Sequence, residues 1–133
     1  MTGNEYQKLA SRTNDGLATD RLNCQLQIVD YDNATLPFVN CDLGGVLNAC
    51  LGLAGEVGEL NDMIKKWVFH EKFLDETHLK KELGDVMWYV AMMCQSMGWE
   101  LDDILQMNID KLIARYPEGF DVIKANNRQA GDV

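Results

Sequence analysis

No stretch of this 133-residue chain approaches the ~18–20 consecutive apolar residues that a bilayer-crossing helix requires, so no membrane association is expected. The opening MTGNEYQKLASRTND has no apolar run behind a basic segment, and no signal peptide is expected from it. Proline is scarce: Pro37 and Pro117 are the two, and both fall where helical periodicity fails. Basic residues are short as well, 12 against 21 acidic for a net charge of -9. That balance argues against a nucleic-acid binder, which needs a basic face to meet phosphates. It leaves open an enzyme that handles nucleotides, because carboxylates hold the metal ions that meet phosphates. Cysteine is sparse and scattered, with Cys24, Cys41, Cys50 and Cys94 forming no CxxC. Four reduced thiols in a cytoplasmic protein, without zinc or a disulfide, are the expectation. Histidine occurs twice, as His70 and His78. Asp75 and His78 make one DxxH, which falls short of the two Glu-x-x-His pairs of a ferritin-like di-iron centre.

What remains is an ordinary globular composition, 47% hydrophobic and 25% charged, of a length that makes one domain with its own core. The apolar pattern is helical. A first helix is expected over about residues 3–17, marked by Tyr6, Leu9, Ala10 and Leu17. Residues 19–43 are poorly periodic and read as a long loop or insertion; CQLQIVDY within them alternates weakly, as a short strand or an extended loop. Leu47, Leu51, Ala54, Leu60, Ile64 and Trp67 predict a second helix from Leu43 to Phe69, with Lys65 and Lys66 complementing its C-terminal dipole. A third begins near Asp75 or Thr77, either of which can cap it, and stops at Gly98. A fourth runs over about Leu101–Tyr116 and ends at Pro117, and EGFDVIKANNR adds one short helical turn before a tail. The fold class is all-α, an antiparallel bundle of four main helices.

Within the second helix Glu56 and Glu59 stand three residues apart; within the third, Glu82 and Asp85 do. Residues at that spacing share a helix face. Each pair sits mid-helix among apolar residues, in LGLAGEVGEL and KKELGDVMWYV. Carboxylates facing each other inside a bundle repel unless a cation lies between them, and such a set of oxygens suits Mg²⁺. The alternative is that the pairs line a solvated face. Asp62 extends the first face, as a further ligand or as a solvated outer-turn acid. Gly52, Gly55 and Gly58 recur at the same spacing, and Gly84 lies between Glu82 and Asp85. An interior helix glycine costs ~1 kcal/mol relative to alanine, so close packing of a neighbouring helix, or a ligand near the backbone, is expected there. On the fourth helix Lys111 and Arg115 share a face at i,i+4. They suit an anion, Arg as a fork and Lys as a point charge, or else simply complement the helix dipole. Trp67, Trp88 and Tyr89 read as core or interface residues, whereas Tyr116 and Phe120, beside the cations, are candidates to stack on a base. The run MWYVAMMCQSM reads as core packing, since methionine fills irregular gaps.

GLAGEVGEL, KKELGDVMWYV and NIDKLIARYPEGF, in that order, resemble the MazG-like branch of the all-α NTP pyrophosphohydrolases over about residues 44–120. YQKLASRT is similar to the opening helix of small stand-alone members. The resemblance implies one MazG-like domain over 1–133, with its core at 44–120, the long segment 19–43 as loop or insertion, and a tail at 127–133. It implies hydrolysis of nucleoside triphosphates to the monophosphate and pyrophosphate with Mg²⁺, for which Mn²⁺ is a substitute. By position, Glu56, Glu59, Glu82 and Asp85 become metal ligands, with Glu59 a candidate general base. Lys111 and Arg115 become the phosphate-contacting pair; Asn108 and Tyr116 join them as substrate-binding residues. The family's fuller motif reads EExxE, and its first acid is Gly55 here, which leaves one fewer candidate base. The resemblance also implies a homodimer or homotetramer whose assembly completes the bundle. The rival expectation is a non-catalytic helical module of the same fold that holds a nucleotide or a protein partner.

Overall fold

The computed structural model describes residues 1–27 and 41–127, and every regular element among them is helical. The chain falls into two compact units, Met1–Leu43 and Gly44–Val133.

In the first unit α1 spans Gly3–Ala10 and a 3-10 turn follows at Ser11–Thr13. Thr2 caps α1 through a reciprocal pair of hydrogen bonds: the Glu5 backbone N–H donates to Thr2 Oγ1 at 3.2 Å, and the Thr2 backbone nitrogen donates to Glu5 at 2.6 Å. The helix expected to reach residue 17 therefore stops earlier. Asn14 and Asp15 redirect the chain, because their side chains accept the N–H groups of Gly16 and Leu17, and Gly16 takes a φ of 72°.

α2 then spans Ala18–Gln27. This corrects the reading of a loop from residue 19 and of a strand at Cys24–Gln27. The rest of that expected loop and strand, residues 28–40, lies outside the described residues, as does the expected tail from residue 128. α2 is locked at its start by an Arg21–Asp15 ion pair, and Asp15 is held below the usual carboxylate range chiefly by that guanidinium. Leu22 and Leu26 are its two apolar marks, both exposed, and a pair is too few to give a clear helical period.

The second unit carries the rest of α3, which starts at Leu43 and ends at Phe69 as the spacing predicts. The Lys66 carbonyl accepts the backbone N–H groups of both His70 and Lys72, and Glu71 adopts a φ of 54° to turn the chain. α4 spans Glu76–Met97. Asp75 is its cap, accepting the His78 backbone N–H at 2.9 Å. Gly98, at φ 69°, ends it with the paired bonds Gly98 N–H to the Gln95 carbonyl and Trp99 N–H to the Cys94 carbonyl. α5 spans Leu101–Arg115 and α6 Val122–Asn126, the short turn expected after Pro117.

α3 and α4 run antiparallel. Gly52 meets Tyr89, Glu56 and Glu59 meet Glu82, and Asp62 shares a cavity with His78. The α3 number climbs while the α4 number falls.

Burial is thin. Among the described residues Ala49 and Cys94 are the buried apolar side chains, and the one buried charged residue is Glu82, at 8% exposure. Leu47, Leu51, Ile64 and Trp67, which carry the periodicity of α3, are exposed, as are Met87 and Trp88 on α4. The methionines at 92, 93 and 97 are half-buried, so of the run expected to pack in the core Cys94 is the buried member. Trp88 stands edge-on to Tyr89, ring centres 4.8 Å apart.

Candidate metal centre and adjoining cavity

The antiparallel pairing of α3 and α4 brings acids from both helices to one place. One carboxylate oxygen each from Glu56, Glu59 and Glu82 lie within 4.8 Å of one another. Their burial is graded: Glu82 is buried, Glu56 half-buried and Glu59 exposed. Glu56 is raised above the ordinary glutamate value, first by its removal from water, then by the charges of Glu59, Asp85 and Glu82, and by a hydrogen bond with Glu82. Asp85, the fourth acid of the predicted set, stands outside that trio, but Glu56 feels its charge. A cluster made only of carboxylate oxygens fits a hard divalent cation, whose charge would cancel the repulsion that Glu56 registers.

Beside the cluster lies a cavity of about 310 Å³. α3 lines it with Gly55, Gly58, Glu59, Asp62, Met63 and Lys66, and α4 with His78 and Glu82. The glycines divide into two kinds. A Cβ on Gly52 would lie 2.1 Å from the Tyr89 ring, so tight packing requires that glycine. A Cβ on Gly55, Gly58 or Gly84 would meet nothing within 4 Å, so the packing expected at Gly55 and Gly58 is not found. Those two glycines instead keep the cavity wall free of side chains.

Asp62 lines the cavity with Glu59 and is half-buried. Its carboxylate pairs with Lys65 at 3.5 Å and closely with Lys66, and Lys66 leads in holding it below the usual carboxylate range. It belongs to no cluster with Glu56 and Glu59. In the sequence His78 forms a DxxH with Asp75. Its imidazole Nε2 in fact donates to Glu82 Oε1 at 2.6 Å, one turn along α4. The i,i+4 spacing of His78 to Glu82, and of Asp62 to Lys66, is the signal that would have found both contacts.

The remaining predicted residues sit on or beside α5, in the same compact unit as the acids. Asn108, Lys111 and Arg115 share one face at i, i+3 and i+7. Asn108 and Lys111 are exposed, and Arg115 is half-buried. The Arg115 guanidinium carbon lies 5.9 Å from the centre of the Tyr116 ring, and Tyr116 lies 5.5 Å from Phe120, so a cation and two aromatic rings gather at the end of α5.

Comparison with known proteins adds to this geometry. Residues 46–120 match the family model for the MazG nucleotide pyrophosphohydrolase domain. The chain is 34% identical over 110 residues to the Gene 37 protein of Mycobacterium phage L5, covering 77% of this chain and 95% of that protein. No solved structure matches it.

Proposed function

The chain belongs to the MazG nucleotide pyrophosphohydrolase family, and from that premise we propose that it hydrolyses nucleoside or deoxynucleoside triphosphates to the monophosphate and pyrophosphate in a Mg²⁺-dependent reaction. The observation that carries the reading is the meeting of Glu56, Glu59 and Glu82 from two helices within 4.8 Å, beside a cavity.

Glu56, Glu59, Glu82 and Asp85 would hold the cation. When bound, Mg²⁺ supplies positive charge toward the triphosphate and acidity to a nearby water. The chain's own groups divide the rest of the work. Glu82 is buried and engaged by His78 and Glu56, so it is a fixed anchor. Glu59 is exposed and lines the cavity, which supports it as the carboxylate that would accept a proton from an attacking water. Lys111 and Arg115 would take charge on the leaving pyrophosphate. Asn108 would bind the substrate beside them, and the Tyr116 ring would offer a face to the base. Such a reaction belongs in the cytoplasm, where nucleotide pools lie.

The active form would be a homodimer or a dimer of dimers. Its support is the apolar surface left on the second unit: Leu51 is 75% exposed, Leu83 54% and Ile113 61%. A second copy of the same helices is the partner that buries such faces on both sides at once. Light scattering at micromolar concentration should give at least twice the 15.0 kDa chain mass.

The activity test is pyrophosphate release from a mixed pool of ribo- and deoxyribonucleoside triphosphates, with and without Mg²⁺. Mg²⁺-dependent release is expected. Its absence from folded protein would overturn the enzymatic reading in favour of a non-catalytic helical module.

A further inference from the structure

Glu82 is the buried charged residue among those described, and its carboxylate meets two partners. Glu56 approaches it from α3, with one oxygen of each carboxylate within 4.8 Å of the other. On α4, His78 Nε2 lies 2.6 Å from Glu82 Oε1. His78 is itself held. Its backbone N–H donates to Asp75 Oδ1 at 2.9 Å, which fixes the first turn of α4, and its ring borders the same cavity as Glu82 and Glu59. An N-cap therefore anchors a histidine, and the histidine anchors a carboxylate one turn further on. The donor is an Nε2–H, present in one neutral tautomer of the imidazole and in its cation alike.

We propose that His78 is a positioning residue for the acidic cluster: its Nε2–H holds one oxygen of Glu82 and so orients the carboxylate toward Glu56 and Glu59. This rests on the metal-binding reading of that cluster. A carboxylate on its own rotates about its last torsion, which is broad and roughly two-fold in glutamate. One oxygen tied to a donor removes that freedom, and the remaining oxygen is presented at a set angle. Hydrogen-bond partners of metal ligands commonly matter at the ~10–100-fold level for metal affinity. His78 needs no contact with substrate for this role. Lys66, which also borders the cavity, is engaged by Asp62 and leaves Glu82 to the histidine.

The test is Mn²⁺ binding to the full-length, metal-free protein without nucleotide, read from the loss of the free-ion electron paramagnetic resonance signal. His78→Ala should weaken Mn²⁺ binding by ~tenfold or more, within the range for such partners. It should also raise the Mn²⁺ concentration needed for half-maximal hydrolysis by the same factor, leaving KM for nucleotide at saturating Mn²⁺ within about twofold. His78→Gln keeps an N–H donor at a similar reach and should recover most of the lost affinity. Parent-like Mn²⁺ affinity in His78→Ala overturns the proposal, and so does a deficit that glutamine fails to relieve. Glu82→Gln separates this proposal from the reading beneath it. If Glu82→Gln binds Mn²⁺ as the parent does, the metal site itself is misassigned. If Glu82→Gln loses binding and His78→Ala does not, the site stands and only the positioning role falls.

Discussion

Gly52 on α3 and Tyr89 on α4 approach so closely that a Cβ on the glycine would lie 2.1 Å from the tyrosine Cε1. The contact sits one turn before Glu56, so it sets the spacing at which acids from the two helices meet. Gly52→Ala gains ~1 kcal/mol of helix propensity. It also drives the half-buried Tyr89 ring from its place against Trp88, and overpacking of this kind costs ~1–3 kcal/mol. The expected result in urea melts is a net loss of up to about 2 kcal/mol. Adding Tyr89→Leu should recover part of it, a non-additive coupling that contact requires. Gly84→Ala, with nothing within 4 Å of the new Cβ, should instead gain up to ~1 kcal/mol.

Glu82→Gln keeps the shape of the buried side chain, and the amide can still accept from His78. The substitution removes a charge from a crowded cluster, so the melting temperature of the metal-free protein should hold or rise. Turnover should fall at least ~100-fold, the scale on which lost electrostatic catalysis is felt. Near-parent turnover in a folded Glu82→Gln protein would remove the acidic cluster from the chemistry.

Much of the fold is legible because its punctuation is local. The bounds of α3, the Asp75 cap, the Gly98 stop and the break at Pro117 follow from a few residues each, and the structure keeps them. α2 is not legible, because a helix with Leu22 and Leu26 as its exposed apolar pair gives a periodic signal too weak to separate from a loop. The acids were legible from i,i+3 spacing on two helices, since helical geometry alone places each pair on one face. What spacing could not tell was depth: the same pattern yields a buried Glu82, a half-buried Glu56 and an exposed Glu59, and depth depends on which helix packs across. The glycines show the same limit. Three at equal spacing look alike in sequence, yet one touches Tyr89 and two border a cavity. Nor does periodicity say what covers an apolar face, which is why Leu47 and Trp67 mark α3 correctly and still stand exposed.

The acid cluster makes stability depend on pH in a direction that can be worked out. Glu56 is raised above its ordinary value of 4.5 by removal from water and by neighbouring negative charge. Between that value and its higher folded one, the folded chain holds a proton that the unfolded chain has released. Its stabilising contribution is therefore complete below 4.5 and is lost as pH rises through the folded value. The melting temperature of metal-free protein should fall as pH rises above 4.5 and through the raised folded value, and Glu56→Gln should flatten that fall. Mg²⁺ at the upper pH should restore the loss in the parent and do little for Glu56→Gln, because the cation takes the place of the proton. A parent and variant with parallel pH profiles would contradict this.

Arg115 and Lys111 test whether the phosphate site lies at the end of α5. They stand one turn apart, so both side chains can converge on one anion, and Arg115 is fixed near Tyr116, its guanidinium carbon 5.9 Å from the ring centre. A guanidinium offers two parallel N–H groups to a phosphate, a fork that lysine lacks at equal charge. Arg115→Lys should therefore lose activity by about tenfold or more, ~1.4 kcal/mol of transition-state stabilisation. Its Mg²⁺ affinity without nucleotide should hardly change, because Glu56, Glu59 and Glu82 are untouched. Glu56→Gln should show the reverse order, with metal affinity falling first. The measurement is a pair of titrations on each variant, Mg²⁺ alone and then nucleotide with Mg²⁺ present. An Arg115→Lys protein that works at the parent rate would make this end of α5 a solvated terminus complementing its own dipole. The triphosphate would then have to be held by other cations, of which Lys66, already at the edge of the cavity, is the first to substitute.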